Sequence, residues 1–127
     1  MNIEKLSGGI ASFENHWGEE ILMANLQHTS IRLASISLGG IQNNELIENA
    51  FEYIIQHDVG QTSDYWRVHI VTLSGSYTTP DGFFCSISEE DKKIGRVKLS
   101  VDGKNKQLNV TYPVSGTFST KMSMYYL

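Results

Sequence analysis

Residues 44–57, NELIENAFEYIIQH, decide how the rest of the chain is read. Leu46, Ile47, Ala50, Phe51, Ile54 and Ile55 recur at three- and four-residue intervals, with Glu45, Glu48, Asn49 and Glu52 between them. That period predicts an amphipathic helix with one apolar face. Asn43 or Asn44 would cap its first turn, Glu45 and Glu48 suit the positive end of its dipole, and His57 followed by Gly60 marks its end.

Upstream, residues 12–27 predict a first helix, because Phe13, Trp17, Ile21 and Ala24 share a helical face with Leu22 and Leu26 beside it. Gly18 interrupts it at a cost of about 1 kcal/mol relative to Ala, and Ile21 to Leu26 reads equally as a strand. Ile31 to Leu38 is short, partly β-branched and stopped by Gly39-Gly40, which predicts a strand.

From Tyr65 the period changes to two, Trp66, Val68 and Ile70 alternating with Tyr65, Arg67, His69 and Val71. Thr79-Pro80-Asp81-Gly82 is a turn signal, after which Phe83 to Ile87 returns as a second arm. Ser88 to Lys93 reads as a polar loop. Val97, Leu99 and Val101, the turn Asp102-Gly103-Lys104-Asn105, then Leu108, Val110 and Tyr112 make the clearest hairpin. Phe118, Met122, Met124 and Tyr126 alternate toward a last strand. The expected fold is therefore α+β, a single domain over residues 1–127. Two N-terminal helices would pack on an antiparallel sheet of four to five strands, mostly a C-terminal meander.

Composition bounds the function. The 127 residues are 40% hydrophobic and 19% charged, ordinary for a folded globule. No signal-peptide pattern and no run of about 18 apolar residues appears, and Cys85 is the single cysteine, so a cytoplasmic, reducing setting is expected. The net charge of −4 is uneven: residues 1–64 carry −7 and residues 65–127 carry +3. An acidic half of this kind steers a basic partner.

Chemistry-bearing residues are sparse. His16, His28, His57 and His69 show no metal-ligand spacing, and neither a metal nor another cofactor is expected. Cys85, set in FFCSI, reads as a small buried hydrophobe. Gly39-Gly40 lacks the Lys-Ser/Thr of a phosphate loop, and Glu89-Glu90-Asp91 runs straight into Lys92-Lys93 as a solvated charge cluster. A pI of about 5.5 argues against a dedicated nucleic-acid binder.

Three functions from different classes remain. The favoured one is an acidic protein-binding module, an inhibitor or immunity-type protein that neutralises a basic toxin or nuclease through Glu45, Glu48, Glu52 and Asp58. The second is a small nuclease- or phosphoesterase-like enzyme using His69 as acid/base, Arg67 for the anion and Tyr65 as an orienting donor. The third is a homo-oligomer subunit that pairs through the Met122/Met124 strand and Tyr125-Tyr126-Leu127.

Overall fold

The computed structural model describes residues 5–57 and 62–125. They form eleven strands and one short helix. One sheet holds β1 (Lys5–His16), β4 (Leu46–His57), β8 (Arg96–Asp102), β9 (Gln107–Tyr112) and β10 (Gly116–Lys121), in the order β10-β9-β8-β1-β4. The other holds β2 (Ile21–Thr29), β3 (Leu33–Ile41), β5 (Thr62–Thr72), β6 (Gly75–Thr78) and β11 (Ser123–Met124), in the order β11-β6-β5-β2-β3, with β7 (Phe84–Ile87) also paired to β5. Neighbours run antiparallel except β1 and β8, which are parallel.

The two sheets face each other across one apolar core. Trp66 on β5 lies 5.1 Å from Tyr53 and 6.3 Å from Phe51, both on β4, and its indole donates to the Tyr112 hydroxyl on β9 at 2.8 Å. The molecule is thus nearly all β, and the α+β expectation is wrong. The apolar side of each sheet is covered by the other sheet, not by helices.

Both expected helices are strands, for related reasons. Within residues 44–57, Phe51, Tyr53 and Ile55 are buried by ordinary alternation. A bulge then shifts the register: Ala11 faces Phe51 but Phe13 faces Ile47, and Asn49 takes a left-handed φ of 54°. The extra residues bury Ala50 as well, so a bulged strand imitates the spacing of a helix. Over residues 12–27, Phe13 and Asn15 end β1 on its buried side and buried Trp17 follows it, Gly18 turns with φ 103°, and Ala24 and Leu26, with His28 after them, continue the alternation in β2. Asn15 and His28 are fully buried polar residues, and they hide a period of two from any hydropathy reading.

The expected single meander is divided as well. Residues 88–93, read as a loop, include most of α1 (Glu89–Ile94), capped by the Ser88 side chain accepting from the Asp91 amide and ended by Gly95 at φ 69°. This helix carries the chain from β7 in one sheet to β8 in the other. The hairpin at 96–112 is present as expected, with Leu99 opposite Val110 and Val101 opposite Leu108. The last expected strand changes sheet at buried Met122, as β10 and then β11.

Candidate functional site

β4 is an edge strand, with the side chains of Glu48 and Glu52 exposed along it and that of Glu45 exposed just before it. Asp58, expected to join them, lies outside the described residues. Glu45 is fixed at the β3–β4 turn, where its carboxylate accepts from the Gln42 amide at 2.9 Å. Leu46 is exposed, and Ile47 and Ile54 are half-buried, so the acidic edge is interleaved with apolar surface. His57 ends β4 against the Ser7 hydroxyl and has no helix end to complement.

Two depressions flank this edge. A trough of about 450 Å³ crosses the outer face of the first sheet, lined by Ile10, Ser12, Leu46, Glu48, Arg96 and Lys98 among others. Lys98 is drawn toward Glu14 at 2.6 Å, and that hydrogen bond holds the Glu14 carboxyl below its usual range. On its other flank β4 meets β3 along a seam containing cavities of about 470 and 380 Å³, both lined by Ala34 and Glu52.

Tyr65, Arg67 and His69 do share one face, as the alternation of β5 requires. Arg67 and His69 line a shallow cavity of about 440 Å³ with Asn25, Gln27, Thr78 and Tyr125. Each has a local tie: the Tyr65 hydroxyl accepts from the Gly82 amide at 3.1 Å, Arg67 pairs with Asp81 at 3.0 Å, and the His69 ring packs on Tyr125 at 5.5 Å. Burial, helped by the Arg67 charge, lowers the His69 pKa and favours neutral imidazole. A neutral imidazole can accept a proton, but among the described residues no carboxylate accepts from this ring to orient it. Gln27 donates to Asn25, whose own amide donates to Ser35, Ser37 and the Ile36 carbonyl, so this part of the cavity holds β2 to β3.

Sequence reasoning missed a buried polar network. His28 Nε2 donates to Asp64 Oδ1 at 2.7 Å, and Asp64 Oδ2 accepts from Tyr112 at 2.6 Å. The His28 ring lies 4.4 Å from Tyr53 and 4.6 Å from Trp66. Burial and the Asp64 charge push Tyr53 and Tyr112 upward, and Cys85 up to about 12. His28 is wholly enclosed, and the network ties β2, β5 and β9 together across the core, with Asp64 also lining a cavity of about 350 Å³. Its one sequence signal is the place of His28 in the Ala24-Leu26-His28 alternation.

Among the described residues no group of three or more His, Cys, Asp or Glu is gathered as a metal site, and no helix is long and apolar enough to cross a membrane. Met124 pairs with Tyr77 at a sheet edge, while Tyr126 and Leu127 lie outside the described residues. No family model matches the sequence, and no curated protein matches it.

Proposed function

We propose that the chain is a non-catalytic protein-binding module that captures a basic partner along β4, in the manner of an inhibitor of a toxin or nuclease domain. What supports the reading is the placement of Glu48 and Glu52 as exposed acids on an edge strand, and of exposed Glu45 in the turn leading into it, beside exposed Leu46 and a trough across the neighbouring strands. Edge backbone and apolar surface supply affinity, while the acids steer encounter and reject acidic proteins.

The test compares the wild type with the triple reversal Glu45→Lys, Glu48→Lys and Glu52→Lys, first shown by circular dichroism to keep its fold. The wild type should capture a basic protein from its native source, with an association rate that falls steeply as salt rises, and the variant should lose that protein. A complex that the variant forms equally well, or a rate indifferent to salt, sinks the reading.

A further inference from the structure

The backbone of β3 specifies how such a partner is held. In an antiparallel strand the N–H and C=O of one residue point to the same neighbour, and successive residues alternate. Thr79 N donates to Val68 O at 3.0 Å and Val68 N donates to Thr79 Oγ1 at 3.1 Å, so Val68 bonds away from β2. The odd residues of β5 therefore bond β2, where Arg67 faces Gln27 and His69 faces Asn25. This leaves the even residues of β2 to bond β3, where Ala24, Leu26 and His28 face Leu38, Ile36 and Ala34. Leu33, Ser35, Ser37 and Gly39 are left with backbone groups pointing off the sheet edge.

Natural edges are protected by charges, prolines, bulges or short broken strands. β4 has Glu48, Glu52 and the Asn49 bulge, β10 ends in Lys121, and the opposite edge of the second sheet is broken into β6, β7 and β11 around Pro80. β3, LASISLGGI, has no charge and no proline over nine residues. It also borders the seam whose two cavities both reach Glu52, with half-buried Ala34 and Ile36 on one wall and Phe51 and Ile54 on the other.

We infer that an extended basic segment of the partner adds to β3 as a further strand and lies in the seam between β3 and β4. The inference rests on the acidic-edge reading and gives its mode. Alternate side chains of the added strand face the seam, where the aliphatic stem of a lysine covers Ala34 and Ile36 and its ammonium reaches the Glu52 carboxylate. An uncharged β3 opposes no such segment, and an acidic one would meet Glu52 in repulsion.

The probe is a synthetic peptide of alternating lysine and threonine, about seven residues long to match a strand of this size, titrated into the whole protein and read by amide hydrogen exchange. Slowed exchange at Ser35 and Ser37 is expected. Glu52→Lys should weaken binding about tenfold or more. Ser37→Pro should do the same, because it removes an outward N–H at an edge position where proline is tolerated. Peptide binding that needs Glu52 but leaves the Ser35 and Ser37 amides unprotected overturns strand addition while the acidic-edge reading stands. No binding at all, or binding indifferent to Glu52→Lys, overturns the inference. Protection of those amides without peptide, with a dimer in light scattering, assigns the edge to a second copy and overturns it too. The exchange readout on the wild type decides the matter even if Ser37→Pro fails to fold.

Discussion

Replacing Tyr112 with Phe tests the buried network with almost no change in volume. The hydroxyl donates to Asp64 at 2.6 Å and accepts from the Trp66 indole at 2.8 Å, in a residue that is 3% exposed. A hydrogen bond to a charged group contributes about 1.5–3 kcal/mol, and an orphaned buried donor such as the Trp66 N–H costs about 1–3 kcal/mol. The expected loss is therefore about 3–5 kcal/mol, a large part of the roughly 5–15 kcal/mol that holds a domain together. Urea denaturation followed by tryptophan fluorescence and circular dichroism should show a lower midpoint at unchanged slope. Thermal melts should fall by about 12–20 °C, at roughly 4 °C per kcal/mol. A loss below about 1 kcal/mol would mean that Trp66 and Asp64 are satisfied without Tyr112, and the network argument would be refuted.

Gly103 and Gly8 form a matched pair. A Cβ on Gly103 would come within 1.7 Å of the Trp17 carbonyl oxygen, whereas one on Gly8 meets nothing within 4 Å. Gly103→Ala should thus cost more than about 3 kcal/mol in chemical denaturation and Gly8→Ala less than about 0.5 kcal/mol. Cys85 is buried with its thiol pushed up to about 12, so a thiol reagent at neutral pH should modify it only as fast as the protein unfolds. Burial raises the Asp91 carboxyl, but hydrogen bonds from Ser115, Val114 and Ser88 outweigh this and lower it overall. Its stabilisation is then present above the unfolded value of about 4 and lost as pH falls through the lower folded value. Asp91→Asn should flatten that acid limb in pH-dependent denaturation, and an unchanged limb would refute the assignment.

The sequence disclosed strands where alternation was unbroken. Val97, Leu99, Val101, Leu108 and Val110 are all buried in the hairpin their spacing predicts. It misled wherever a backbone irregularity or a buried polar group broke the period. The Asn49 bulge gave β4 helical spacing, and Asn15 sat among apolar partners because its amide serves the Glu19, Ile41 and Gln42 carbonyls while its oxygen accepts from the Trp17 amide. The exposure of Glu45, Glu48 and Glu52 was readable, since charged residues stay in water whether a segment is helix or strand. Their position on an edge beside β3 was not, because sheet order depends on pairings between distant segments. His28, Asp64 and Tyr112 are separated by 36 and 48 positions, and singly each resembles a surface residue.

The parallel register of β1 with β8, in which Phe13 lies opposite Leu99, governs the order of assembly. A ribosome must emit most of the chain before β1, already paired with β4, gains β8 as its second neighbour, and loop closure over such a span is slow. Until then the nascent N-terminal third exposes a sticky flank to other chains, so expression at lower temperature or with a chaperone should raise the yield of monodisperse protein. Truncations ending before residue 96 should precipitate.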